Sequence, residues 1–282
     1  MGKKRMQSPS SINIYFQCPR KYYYQYKLKM KTKPSIHLVR GSAAHYALET
    51  LYKVVPEVLS ENYRHDLHIV GKELLKKSWK DLKSDFDKLD MLPEQIEVFY
   101  NDTLLMIANQ INFIVDKIEE RMQKKGESFV DAFKAMIPLV EEEYLSWDYY
   151  VKGFIDVIEQ HDGKIRLMDY KTSKKNKLTD QYKLQLAIYA LLYKDKHNKL
   201  PDEVGLYFVK FPEPELAIPV TEELIQHAKF HIEQIHASTL SDDIADYKKN
   251  KTPLCKWRTG QCDFYEYCFE NKEIPPLPEP KK

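Results

Sequence analysis

The stretch GFIDVIEQHDGKIRLMDYKT, residues 153–172, decides the reading of this chain. At its centre Asp162-Gly163 favours a two-residue turn with positive φ at both positions, joining strands expected over Tyr149–Gln160 and Lys164–Thr172. Counting back from such a turn pairs His161 with Lys164 and sets Asp156 opposite Asp169. Lys171, two residues beyond Asp169, then projects from the same face. A three-residue turn would shift the register and send Asp156 to the other face. With the two-residue turn, two carboxylates and an ammonium converge on one patch of sheet.

A lone Asp-x-Lys is in most sequences an ordinary polar strand end. Here its company matters: Ile165, Leu167 and Met168 deliver Asp169 to a strand end, and Gly153-Phe154-Ile155 deliver Asp156 to another. An acid on such an apolar strand costs free energy unless a cation partners it. Carboxylates that hold a hard divalent cation, beside a group that positions water, are the requirement for metal-assisted phosphodiester hydrolysis.

Outward from this stretch, Ile137–Leu145 reads as a preceding strand, Leu178–Lys196 as an amphipathic helix, Val204–Phe211 as a strand and Glu222–Ser238 as a helix. Together they predict an α/β core with a mixed sheet flanked by helices. Upstream, Ser8–Lys53 reads as helical, with Gly41-Ser42-Ala43-Ala44-His45 opening or threading a helix through Glu49 and Tyr52. Residues from about 60 to 135 carry helical spacing, as in Ile107, Ile111, Ile114, Val115 and Ile118, and read as a helical insert. The expected organisation is a single domain over 8–275, with the insert, a core over about 136–240 and a cysteine segment over 250–270 joined to Cys18. The Pro-rich end, Pro275–Lys282, reads as a loose tail.

With 282 residues, 43% of them hydrophobic, the chain can bury a real core, which excludes a disordered class. No stretch approaches the roughly 20 uncharged apolar residues of a membrane span, and Met1–Ser10 lacks a signal-peptide core, so a cytoplasmic protein is expected. The net charge of +2 hides an asymmetry: every charged residue before Glu49 is basic. That arm, with Arg20, Lys21, Lys27, Lys29, Lys31 and Lys33, suits a polyanion, although basic termini are also common as plain solvated surface. Tyr22, Tyr23, Tyr24 and Tyr26 beside it would either stack on bases or pack in the core.

The four cysteines are placed unevenly, Cys18 near the start and Cys255, Cys262 and Cys268 in one short segment. In a cytosolic chain such a cluster reads as metal ligation rather than disulfides. Six and five residues separate the C-terminal three, a looser spacing than zinc knuckles use, and spacing alone leaves zinc and an iron-sulfur cluster both open. His227 and His231 sit at i, i+4, but no acid or apolar setting surrounds them in sequence, and a wet helix face is the expectation.

The motifs Gly153-Phe154-Ile155-Asp156, Asp169-Tyr170-Lys171-Thr172 and Gln185-Leu186-Ala187-Ile188-Tyr189 resemble, in order and spacing, those of RecB-type nucleases of the PD-(D/E)XK superfamily. Gly41-Ser42-Ala43-Ala44-His45 is similar to that family's upstream Gly-x-x-x-His motif, and Cys18-Pro19-Arg20-Lys21-Tyr22-Tyr23 to its Cys-Pro-x-x-Tyr-Tyr start. The resemblance implies a restriction-endonuclease-like fold and Mg2+- or Mn2+-dependent exonuclease activity on DNA ends or single strands. It implies His45, Asp156 and Asp169 as metal ligands, with Lys171 stabilising charge at phosphorus. Gln185 and Tyr189, at i and i+4, would face the site or a phosphate, or else simply pack. One N-terminal cysteine followed by a C-terminal trio is similar to AddB and to CRISPR-associated RecB-like exonucleases, which implies a 4Fe-4S cluster on Cys18, Cys255, Cys262 and Cys268. Expected partners are DNA and either a helicase or CRISPR adaptation proteins, since the chain has no Gly-x-x-x-x-Gly-Lys-Ser/Thr loop of its own for ATP. The competing reading is a DNA-binding or scaffolding subunit that does not cut.

Overall fold

The computed structural model describes residues 4–258 and 260–278; the last four residues of the Pro-rich tail lie outside that range. The chain opens with α1 (Pro9–Gln17) and α2 (Pro19–Tyr22), runs through one π-type turn over Tyr23–Lys27, and enters α3 (Ile36–Leu51). Local signals fix these starts. Ser8 and Ser11 exchange side chain-to-backbone bonds of 3.2 and 2.8 Å ahead of Pro9, and Ser35 accepts the Leu38 N–H at 3.3 Å. The insert follows as α4 (Tyr63–Asp81), α5 (Lys83–Phe86), α6 (Pro93–Lys125) and α7 (Phe129–Ala135). Gly126 ends α6 in the left-handed region at φ 67°, as a helix C-terminus favours.

The strands β1 (Leu139–Ser146), β2 (Val151–His161) and β3 (Lys164–Lys171) come in immediate succession. Then follow α8 (Asp180–His197), β4 (Glu203–Phe208), β5 (Glu215–Pro219) and α9 (Glu222–Ser238). The five strands form one sheet in the order β1-β2-β3-β4-β5, antiparallel except for the parallel pair β3/β4. The mixed α/β class expected from sequence is what the structure shows. A two-stranded ribbon, β6 (Lys256–Trp257) with β7 (Gly260–Gln261), and a short α10 (Tyr265–Phe269) complete the described elements.

Asp162 and Gly163 both take positive φ, 51° and 79°, so the turn is the two-residue kind. His161 pairs with Lys164 and the ladder runs back to Val157 opposite Met168, the register counted from the sequence. β5 was not expected. Its five residues sit between Pro214 and a terminal Pro219, a stretch too short and too proline-bound to show alternation, and it gains strand form by pairing with β4.

Two apolar cores flank the sheet. One packs Ile158, Leu167 and Leu206 under α8 and α9 with Ile12 and Tyr22 of the arm; the other packs Val157, Met168 and Tyr170 under α3, α4 and α6. The insert therefore roofs one face of the sheet and positions α3 over it. Gly71 of α4 permits this approach, since a Cβ there would come within 2.5 Å of Ile111 on α6. Protein contacts tie the arm to the C-terminal segment: Arg20 Nε donates to the Tyr247 carbonyl at 2.7 Å, and the Tyr23 and Tyr24 rings pack on Tyr247 and Phe264. Among the described residues no helix is long and apolar enough to cross a membrane.

Candidate active site

One position beyond the last β2/β3 rung, Asp156 Oδ2 accepts the Tyr170 N–H at 2.9 Å. A carboxylate thus stands where a strand carbonyl would continue the ladder. His45, on the turn of α3 above it, places Nδ1 at 3.2 Å from the same Oδ2 and at 3.5 Å from Glu49 Oε1, one helical turn along. One donor atom from each of His45, Glu49 and Asp156 lies within 4.8 Å of the others. Glu49 Oε1 is buried, and the His45 ring nitrogen at 3.5 Å is the polar group facing it. Both carboxylates therefore face one ring nitrogen, and the proton on that nitrogen occupies the place a cation would take. A nitrogen and two oxygens are a donor set suited to Mn2+ or Mg2+, so the residues fit the metal that the sequence implies.

Asp169 is arranged differently. Its Oδ1 accepts from Gln185 Nε2 at 2.8 Å and from Tyr189 Oη at 3.3 Å, while its Oδ2 pairs with Lys171 Nζ. Lys171 also donates to Gln185 Oε1 at 3.1 Å and lies over the Tyr182 ring. Gln185 and Tyr189 thus reach the sheet from α8 and are joined to each other at 2.8 Å. The expected set splits in two: His45 and Asp156 are gathered with Glu49, and Asp169 is gathered with Lys171, Gln185 and Tyr189. Glu49 carried a signal in sequence, its i+4 spacing from His45, which the motif reading passed over.

The electrostatics follow from burial. The Asp156 carboxyl is pushed up to about 7, by desolvation first and by the neighbouring Asp169 charge second. Burial alone would lower His45; the hydrogen bond to Glu49 and the charges of Asp156 and Asp169 outweigh it and raise the imidazole to about 9. Lys171 behaves likewise, its burial outweighed by Asp169, so its pKa rises and it stays an ammonium. The recess in front of these groups is lined by His37, Arg40, Lys171, Lys174 and Tyr182, which gives it cationic walls. Arg40, 3% exposed, binds Asp102 of α6 at 2.9 Å and the Thr172 carbonyl at 3.1 Å, tying the insert to the residue after Lys171. Nothing in the sequence sets Arg40 apart from the other basic residues before Glu49.

Of the basic arm, Lys29, Lys31 and Lys33 are exposed. Lys27 is not free: it is 10% exposed, pairs with Asp242 at 2.7 Å and donates to the Thr239 carbonyl at 3.1 Å. Arg20 is spent on Tyr247, and Lys21 reaches Gln17 at 3.5 Å. Tyr22, Tyr23 and Tyr24 are buried, which settles their role as packing. His227 and His231 are half-buried rather than wet, their rings 4.5 Å apart and His231 edge-on to Phe16 at 4.8 Å.

Cys18, Cys255, Cys262 and Cys268 line one small cavity and none is in a disulfide. They do not form a closed ligand set: among the described residues, no three of these sulfurs lie within 4.8 Å of one another. Burial raises the pKa of the Cys262 and Cys268 thiols.

Residues 7–269 match the sequence profile of the PD-(D/E)XK nuclease superfamily. The chain is 24% identical over 201 residues to the B subunit of the ATP-dependent helicase/deoxyribonuclease of Clostridium perfringens, a match covering 64% of this chain and 17% of that protein. It is also 24% identical over 227 residues to the gene 69 protein of Mycobacterium phage L5, covering 72% of this chain and 76% of that one. A crystallised candidate exonuclease from Eubacterium rectale superposes with a TM-score of 0.49 at 13% identity, over 98% of this chain and 91% of that one.

Proposed function

Since this chain belongs to the PD-(D/E)XK nuclease superfamily, we propose that it is a divalent-metal-dependent deoxyribonuclease that hydrolyses phosphodiester bonds at DNA ends or in single strands. The observation that carries the reading is the convergence of Asp156 and Glu49 on His45 Nδ1, beside a buried Asp169–Lys171 pair. His45, Asp156 and Glu49 would hold Mg2+ or Mn2+, with Asp169 joining if its carboxylate turns from Lys171. When bound, the ion polarises a phosphoryl oxygen and makes a water more acidic.

The chain's own residues supply the rest. Lys171 lines a recess with basic groups around it and would meet a non-bridging phosphate oxygen, where its charge stabilises the pentacovalent centre. Gln185 and Tyr189 occupy Asp169 Oδ1 and fix the carboxylate's orientation, which leaves Oδ2 toward Lys171. Arg40 and Lys174 add charge along the approach of the backbone.

Two finer readings accompany this. The cysteine-lined cavity would hold a 4Fe-4S cluster. A tetrahedral zinc site, with zinc–sulfur bonds of about 2.3 Å, would need its sulfurs about 3.8 Å apart, closer than these thiols are gathered, whereas a larger cluster tolerates wider spacing. A helicase partner is suggested by the name of the Clostridium relative, of which this chain matches only 17%.

The test is cleavage of labelled oligonucleotides and supercoiled plasmid with Mg2+ or Mn2+, comparing wild type with Lys171→Ala. Metal-dependent cutting that the substitution abolishes supports the nuclease. DNA binding without cutting by a metal-loaded wild type would instead mark a non-cleaving subunit.

A further inference from the structure

A groove of about 880 Å³ lies beside the catalytic recess, between the arm and the ribbon formed by β6 and β7. The first turns of α3 stand between groove and recess: Ser35 and Leu38 line the groove on one side, His37 and Arg40 the recess on the other. Cys262 N–H donates to the Cys255 carbonyl at 2.9 Å and closes the ribbon at its base.

Trp257 is the groove's indole. Its ring rests on Gly260 across the ribbon, where an added Cβ would come within 3.0 Å of three indole atoms. Glycine therefore lets the indole lie against the backbone, while half of the residue, 50%, stays exposed. An indole held on one side and open on the other is a stacking platform. The lining, mostly apolar and carrying basic groups, suits the bases and phosphates of a nucleic-acid strand. Lys21 and Lys33 contribute positive charge, and Asp263 is the only acid among the described lining residues.

We propose that this groove is a single-strand DNA track leading to the active site, in which Trp257 stacks on a base outside the recess. The proposal rests on the nuclease reading above and adds a binding site to it. A single strand is the occupant because its bases expose π-faces, whereas duplex bases are stacked on one another. Lysines would meet phosphates, a contact that demands no given sequence.

The experiment uses full-length protein, purified anaerobically and held in Ca2+ or EDTA, with fluorescent single-strand and duplex oligonucleotides. Trp257→Ala should weaken single-strand binding by about tenfold or more, the usual loss for a stacked base. Trp257→Phe should retain most of the affinity. Hydrolysis of bis(4-nitrophenyl) phosphate, too small to reach the groove, should be unchanged in Trp257→Ala, which also shows that the variant is folded. Single-strand affinity in Trp257→Ala equal to wild type overturns the track, as does an equal loss for blunt duplex. Either result leaves the nuclease reading standing if Lys171→Ala still abolishes cleavage; persistence of cleavage in Lys171→Ala overturns that reading instead.

Discussion

Replacing Arg40 by methionine removes a charge at the seam between insert and catalytic strand while keeping most of its volume. The guanidinium is 3% exposed, with one bond to Asp102 at 2.9 Å and one to the Thr172 carbonyl at 3.1 Å. Breaking a buried ion pair costs about 3–5 kcal/mol when the surviving charge has no other partner. Asp102 is 26% exposed and keeps Lys210 at 2.6 and 2.9 Å, so the cost is lower. Removing the cation also recovers desolvation, the effect that depresses Arg40's own pKa. A net loss of about 2 kcal/mol follows, mostly from the orphaned carbonyl and the weakened Asp102 bond. Urea denaturation of metal-free wild type and Arg40→Met reads it directly. Thr172 follows Lys171, so cleavage should fall by about 10- to 100-fold from misplacement of the ammonium. Stability within about 0.5 kcal/mol of wild type, the range of an ordinary surface substitution, together with full cleavage would show that this seam positions nothing.

Metal affinity should rise with pH. Mn2+ must displace the proton that His45 holds up to about 9 and one that Asp156 holds up to about 7, so calorimetric Kd should fall from pH 6 to 9 by up to about tenfold per unit for each proton released; a flat profile would place the metal elsewhere. Reversing Lys29, Lys31 and Lys33 to glutamate should flatten the slope of log affinity against log salt, by about 0.7 for each single-strand phosphate no longer neutralised. Lys27→Ala should instead lower Tm with the slope unchanged, because its charge is committed to Asp242 and Thr239. Cys18→Ala should lower iron content in anaerobically purified protein, and stoichiometric zinc without iron would refute the cluster. Its effect on Tm should be modest, since Arg20 and the Tyr23 and Tyr24 rings tie the chain ends independently.

The central hairpin was legible because its information is local. A turn of Asp162-Gly163 sets the register within the same 20 residues that carry Asp156, Asp169 and Lys171, so no long-range pairing had to be guessed. Helices with caps and 3.6-residue spacing, such as α8 and α9, were readable for the same reason. What escaped depends on tertiary packing. β5 exists because β4 offers it an edge, and Arg40 acquires its role from Asp102, 62 residues away. The partition of lysines in the arm was also invisible: Lys27 and Lys29 are alike in sequence, and only the packing of residues 239–242 spends one and leaves the other in solvent. Glu49 lies between these cases, since its spacing from His45 was on view but the meeting with Asp156 was not.

The most direct question is whether the buried carboxylates beside Lys171 do chemistry. Single-turnover cleavage of a labelled oligonucleotide in saturating Mn2+ should be compared between wild type and Asp156→Asn, with thermal melting to show that both fold. The substitution keeps the side chain's size and removes the charge that faces His45 Nδ1, so the rate should fall by at least about a hundredfold with little change in Tm. Cleavage by folded Asp156→Asn at the wild-type rate would contradict the site.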